Sequence, residues 1–327
     1  MNGFLKHIKW AFCVKVLTLE GKRNILSDGK PALQLHKDLL VHFPRVENLT
    51  LWDFPALDCL WPSSPSEATP CFPTVKKLCL YTIHSSQFSS IARFIASFPS
   101  IVNLLLHDVD WDANDDDEDD FIDKMPQPHI RVLDMWNCRA GTLNNVLFAD
   151  TGAVELREVL IHTHSTSHAA DWNDVLERAG SHLEKISLQH IGESEPSPFN
   201  LQENTCLSTV SMSFGVDHRI DWVSQTLESV QSPKIKRIEL VNYKIGWRPQ
   251  DLEFINLERM NEKFARERYQ SLQSFMFYMV DIGPVRLGPT EEDEVITQRL
   301  TTIVKARLHK LNERGILRDQ SPPPDDA

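Results

Sequence analysis

The sequence predicts an α/β solenoid, with a parallel sheet on a concave face, helices on a convex face and about ten irregular repeats. Three observations carry the prediction. A short apolar triplet recurs along the chain, the linkers between copies hold helix-spaced apolar residues, and no copy is large enough to bury its own apolar face.

The triplet reads apolar, two variable residues, apolar, one variable residue, apolar. Its copies are VKVLTL from Val14, VENLTL from Val46, VKKLCL from Val75, IVNLLL from Ile101, IRVLDM from Ile130, LREVLI from Leu156, LEKISL from Leu183, LSTVSM from Leu207, IKRIEL from Ile235 and LQSFMF from Leu272. Any amphipathic strand supplies one such match. Ten of them, 24 to 37 residues apart, define a repeat. The last four positions alternate in and out with period two, which predicts a short strand with one buried face.

Between copies there is room for one helix. Phe88, Ile91, Ile95 and Phe98 fall at steps of three and four, as do Ile220, Val223, Leu227 and Val230. Leu143, Val146 and Leu147 repeat the pattern, and so do Trp172, Val175, Leu176 and Ala179. Phe43-Pro44, Phe72-Pro73 and Phe98-Pro99 precede strands, and proline disfavours helical geometry in the residue before it. A unit of one strand and one helix must stack on its neighbours, so the array spans residues 13–285.

At the ends, residues 1–12 form an N-terminal cap or the stump of a longer domain. Thr290-Glu291-Glu292-Asp293 reads as a capping box, followed by Ile296, Leu300, Val304, Leu308 and Leu311 on one face. A capping helix over 290–314 is predicted, stopped by Gly315, with 315–327 as a disordered tail.

The copies resemble the leucine-rich-repeat consensus L-x-x-L-x-L-x-x-N/C-x-L. Their irregular length and Phe-Pro approach to the strand resemble the repeat region of fungal F-box/LRR-type proteins. The resemblance implies a horseshoe and a role in recognising substrates for a ubiquitin-ligase adaptor. It departs from the consensus at the Asn/Cys position, filled once, by Cys138, while Ile83, Val109, Ile191 and Tyr243 stand there elsewhere. Apolar, irregular turns and some missing strands are therefore expected. In that family an F-box of about 40 to 50 residues precedes the repeats, whereas about a dozen residues do so here. Ubiquitin-ligase components are partners only if a longer parent chain carries the F-box.

The formal net charge is −12, and residues 108–123 carry ten acids without a Lys or Arg. An acidic body argues against nucleic acid and anionic membrane as partners. The acidic stretch reads as a solvated insertion loop, and Asp115, Asp116, Asp117, Glu118, Asp119 and Asp120 offer weak contact with a basic partner. Its Asp108-x-Asp110-x-Asp112-x-Asn114 spacing resembles a calcium loop but has Ala113 where Gly belongs and Asp119 where Glu belongs. His162, His164 and His168 invite a metal reading that no completing ligand supports. No metal, cofactor or catalytic residue is assigned, since the G-x-S-x-G, P-loop and G-x-G-x-x-G motifs are missing. The six cysteines form no C-x-x-C pair, and the chain lacks an apolar run of membrane-spanning length. A soluble cytoplasmic or nuclear protein is expected.

The residue after the third apolar position projects onto the concave face. It is Trp52, Tyr81, His107, Trp136 and His162 in five consecutive copies. Strands about 4.8 Å apart would align these into an aromatic column. The column reads either as a protein-binding surface, as exposed aromatics often are, or as rings packed under the loops leaving each strand. The corresponding functions are a non-catalytic protein-interaction scaffold, or a truncated or degenerate repeat protein without a dedicated partner. A metal-dependent enzyme ranks below both.

Overall fold

The structure is a computed structural model that describes residues 13–20, 43–53, 73–85, 88–111, 129–138, 155–163, 169–190, 197–215, 221–244, 257–266, 269–281 and 291–318. It is α/β, and within each of its two units the strands are parallel and paired in chain order. The chain divides into two compact units, Met1–Leu156 and Arg157–Ala327.

The first unit holds β1 (Val16–Glu20), β2 (Asn48–Trp52), β3 (Lys77–Ser85), β4 (Asn103–Trp111) and β5 (Val132–Trp136). Among its described residues a helix, α1 (Phe88–Ala96), lies between β3 and β4. The second unit holds β6 (Glu158–Thr163), β7 (Lys185–His190), β8 (Thr209–Gly215), β9 (Arg237–Lys244) and β10 (Ser274–Asp281). Its helices are α2 (Ala169–Ala179), α3 (Asp221–Ser229), α4 (Leu257–Phe264), α5 (Glu291–Arg307) and α6 (His309–Glu313). Every triplet copy thus carries a strand, so the expected loss of strands from some copies does not occur.

The stacking is regular at the start of each strand. The carbonyl of the second residue of a copy accepts two successive N–H groups from the next copy. Lys15 receives Glu47 and Asn48, Glu47 receives Lys76 and Lys77, and Lys76 receives Val102 and Asn103. Within the second unit Arg157, Glu184, Ser208 and Lys236 play the same part. Hydroxyls reinforce the joint where they stand nearby, as Thr74 does on Val46 O at 2.8 Å and Ser271 on Ile235 O at 2.9 Å.

The triplet positions form the core. Leu49, Leu51, Leu78, Leu80, Leu104 and Leu106 have no exposure, nor do Val210, Met212, Ile238 and Leu240. Fully burying one such side chain contributes roughly 1.5–3 kcal/mol. The helices bring the apolar stripes that their spacing predicts: Ile91, Ile95 and Phe98 are fully buried, as are Val175, Leu176 and Ala179, and Val223 and Leu227 nearly so. The predicted helix around Leu143, Val146 and Leu147 lies outside the described residues. So do residues 1–12 of the proposed cap.

Two expectations change at the ends of elements. The acidic stretch does not begin as a loop at 108. β4 runs on to Trp111, and Val109 and Asp110 pair with Ile83 and His84 of β3. The capping helix is also split at Leu308 (φ −96°, ψ 35°). The break is stabilised from outside, because the buried Asn261 of α4 accepts the N–H of Lys310 at 3.0 Å and of Leu311 at 3.3 Å. An external acceptor does for α6 what an N-cap residue does in sequence.

Gly315 ends α6 as expected, at φ 66°. Its N–H donates to Asn312 O and that of Ile316 to Leu311 O, the paired bonds of a Schellman motif. The following residues are not a free tail. Leu317 bridges Phe275 in parallel, and the Phe275 N–H donates to Ile316 O at 2.8 Å, so 316–318 lie along the outer edge of β10. A short, bridged edge segment is one way to cover an exposed strand edge. Residues 319–327 lie outside the described set.

Candidate functional site

Strand alternation sets the site. In β2, Leu49 and Leu51 point into the core, which leaves Asn48, Thr50 and Trp52 on the opposite face. The pairing register places Trp52 beside Tyr81, Tyr81 beside His107 and His107 beside Trp136. The rings follow that register. Trp52 stacks on Tyr81 with centroids 4.9 Å apart and planes at 16°, and Tyr81 meets His107 edge-on at 4.7 Å. His107 and Trp136 lie 6.0 Å apart with a 44° tilt. These are the separations at which aromatic pairs attract. The column therefore has four rungs in the first unit.

The column is uneven in exposure. Trp52 is 50% exposed, and the other three rungs are half-buried. Burial pushes the Tyr81 phenol above its ordinary value, with Cys79 and the Asp134 carboxylate adding to the effect. The phenol is accordingly neutral at physiological pH. His107 Nε2 lies 3.5 Å from Asp134 Oδ1, an ion pair when the ring is protonated.

The sequence places His162 as a fifth rung, but it belongs to the second unit and makes a different contact. Its Nδ1 lies 2.5 Å from Gln189 Oε1 of β7. The same positions of the second unit continue with Gln189, Ser213, Val241 and Tyr278. Tyr278 is nearly buried and donates its hydroxyl to Met276 Sδ at 2.8 Å. This face interrupts its two rings, His162 and Tyr278, with Gln189, Ser213 and Val241, whereas the first unit stacks four rings in succession.

Sequence reasoning misses a row of left-handed residues behind the rungs. Asp53, Thr82, Asp108 and Asn137, each directly after a rung, have φ between 52° and 57°. Such a residue shifts the in-out phase by one. In β3, Leu78 and Leu80 are buried and so are Ile83 and Ser85, while the register skips the turn and resumes at Ile83↔Val109. Asp and Asn tolerate this conformation better than most residues, which is the signal three of the positions carry. Thr82 carries the opposite signal. The row is partly bonded along its length, since Asn137 donates Nδ2 to Asp108 Oδ1 at 2.8 Å.

In the second unit the strands stay regular through that position. His190 and Phe214 are buried there and face Trp222 of α3, with ring centroids 6.4 and 6.5 Å away.

Cys138, the one residue filling the consensus Asn/Cys position, ties the turn backbone. Its thiol accepts from Val109 N–H at 3.4 Å and lies within bonding distance of Leu106 O and Trp136 O, at 3.3 and 3.1 Å. Burial pushes this thiol up to about 12, against an ordinary 9.0. It is a structural group. Cys79, beside the column, is also raised by burial.

The acids Asp115, Asp116, Asp117, Glu118, Asp119 and Asp120 lie outside the described residues, as do His164 and His168. Among the described residues no group of three or more His, Cys, Asp or Glu is arranged to hold a metal, and no helix is long and apolar enough to cross a membrane. The second unit has an open groove of about 650 Å³ at its strand starts, lined by Arg157, His182, Glu184, Cys206, Lys234 and Lys236 among others. Its charges are partly matched, with Arg157 3.6 Å from Glu184.

Set against known proteins, the chain matches no family model and no curated sequence.

Proposed function

We propose that the chain is a leucine-rich-repeat horseshoe that acts as a non-catalytic protein-interaction scaffold, gripping its partner with the ring column of the first unit. The observation that supports this reading is the stack of four rings on a sheet face, with a half-exposed indole at one end. Aromatic side chains supply large contact area at low entropic cost, and they are enriched among residues that dominate binding energies. The regular carbonyl pattern at each strand start supports the repeat reading. By its sequence pattern the scaffold resembles the substrate-recognition part of an F-box/LRR adaptor, working in the cytoplasm or nucleus. Ligase subunits join it if the parent chain supplies an F-box.

The test is affinity purification with mass spectrometry, comparing the wild-type chain with the Trp52→Ala/Trp136→Ala double variant. Loss of a common set of proteins from a variant that keeps its circular dichroism supports the reading. Unchanged capture removes the column as the binding face. Co-purifying ligase subunits would bear on the adaptor role separately.

A further inference from the structure

We infer that the groove at the strand starts of the second unit binds a phosphate monoester, held as its dianion by the ammonium groups of Lys234 and Lys236. The site does not involve the ring column and goes beyond the scaffold reading. Its shape follows from side-chain size. The residues on either side of a copy's buried first apolar position face the rim. In three consecutive copies they are His182 and Glu184, Cys206 and Ser208, and Lys234 and Lys236. The backbones stand in that order, with the Ser208 N–H on Glu184 O and the Lys236 N–H on Ser208 O, both at 2.8 Å. The middle copy carries small side chains and its neighbours longer ones. The walls are thus two strand spacings apart, about 9.6 Å, over a half-buried floor of Cys206 and Ser208. The rim segments 181–184, 203–208 and 231–236 are described without a break.

Charge selects the ligand. Elsewhere among the described residues the second residue of a copy, where basic, meets an acid one copy away. Glu47 lies 3.1 and 3.4 Å from Lys15 and Lys76, Arg131 lies 2.9 Å from Glu155, and Arg157 lies 3.6 Å from Glu184. Lys234 and Lys236 instead face Cys206 and Ser208 on one side and Ser271 and Gln273 on the other, so no described carboxylate matches them. Lys234 Nζ leans over the floor, 3.2 Å from Cys206 Sγ. Ammonium groups are compact charges with three donors each, which suits a tetrahedral dianion that accepts from both. The serine hydroxyls already donate, Ser208 to Glu184 O and Ser271 to Ile235 O, and so leave the ligand to the lysines. The far wall limits how the ligand's charge is spread. Glu184, though paired with Arg157, repels a run of carboxylates laid across the groove, whereas one phosphoryl group at the lysine wall keeps its charge away from it. Glu203 lies in the turn ahead of β8, and Glu267 and Arg268, outside the described residues, carry opposite signs.

The experiment uses fluorescence anisotropy of the full chain with three labelled pentapeptides. They are Gly-Gly-phosphoserine-Gly-Gly, the same peptide with plain serine, and Gly-Glu-Glu-Gly-Gly, which matches the phosphate's charge. The expected order of affinity is phosphoserine, then diglutamate, then serine. Lys234→Gln and Lys236→Gln, both at exposed positions, should each weaken the phosphopeptide about threefold, the scale of one exposed ion pair, and together about tenfold. Lys185→Gln, which removes a lysine 3.6 Å from Glu158, should leave it unchanged. Displacement by inorganic phosphate at similar affinity assigns the site to small phosphates, and displacement only at far higher concentration assigns it to a phosphorylated chain. Either result supports the lysine site. In the unaltered chain, saturating phosphopeptide should slow iodoacetamide labelling of Cys206 several-fold, and an unchanged rate counts against the position. Equal binding of the diglutamate peptide, wild-type affinity in the double Gln variant, or no binding of the phosphopeptide would each overturn the proposal.

Discussion

Thr82 is a β-branched residue held at φ 53°, and replacing it should stabilise the first unit. The left-handed region costs an L-residue roughly 1–2 kcal/mol, and a branched Cβ belongs at the upper end of that range. Asparagine occupies the region readily, so Thr82→Asn should recover about 1 kcal/mol. Glycine relieves the same clash but loses about 0.5–1 kcal/mol of it to the entropy of a freer unfolded chain. Thr82→Gly should therefore gain about half as much as the Asn variant. The neighbouring pairs Tyr81↔His107 and Ile83↔Val109 should be undisturbed, because the turn already lies outside the register. The control is Thr50→Gly, in the regular part of β2, which should cost up to about 1 kcal/mol. A chain with two compact units need not unfold in one step, so whole-chain melting is a blunt assay. Site-resolved hydrogen exchange at Lys77–Ser85 and Asn103–Trp111 is better, where 1 kcal/mol slows exchange about fivefold. Faster exchange in β3 and β4 for both Thr82 variants, matching the Thr50 control, would refute the argument that the left-handed row is strained at Thr82.

Cys138→Ala removes a thiol that contacts Val109 N–H and two carbonyls, leaving a buried donor unpaired. It should destabilise the first unit by about 2–3 kcal/mol in urea titration, while Cys206→Ala should stay within about 0.5 kcal/mol. The same thiol has a folded value raised from 9.0 to about 12. Its contribution to stability is full below pH 9 and is lost as pH rises toward 12, so the wild type should lose more stability over that interval than Cys138→Ser in an alkaline titration. Gly315→Ala places a Cβ at φ 66° and should cost about 1 kcal/mol. Hydrogen exchange at Phe275, whose N–H is held by Ile316 O, should quicken with it if α6 positions the edge segment.

The sequence made the repeating core legible because an apolar triplet at fixed spacing reports burial directly. Leu78 and Leu80, or Ile238 and Leu240, need no knowledge of the rest of the chain to be placed inward. The facing of Trp52, Tyr81, His107, Trp136 and His162 is legible for the same reason, since alternation fixes which way a residue faces. What alternation could not reveal was its own interruption. The phase shift after Trp52, Tyr81, His107 and Trp136 carries no glycine to announce it, and at Thr82 the residue argues against it. The break at Leu308 was equally hidden, because its cap comes from Asn261, 47 positions earlier in the chain.

The claim that the ring column is where a partner protein docks is tested most directly by photo-cross-linking. With p-benzoylphenylalanine in place of Trp52, irradiation in cells should join the chain to one protein, and the same label at Ser211, on the corresponding face of the second unit, should stay largely silent. Cross-links from 211 and none from 52 would contradict the account.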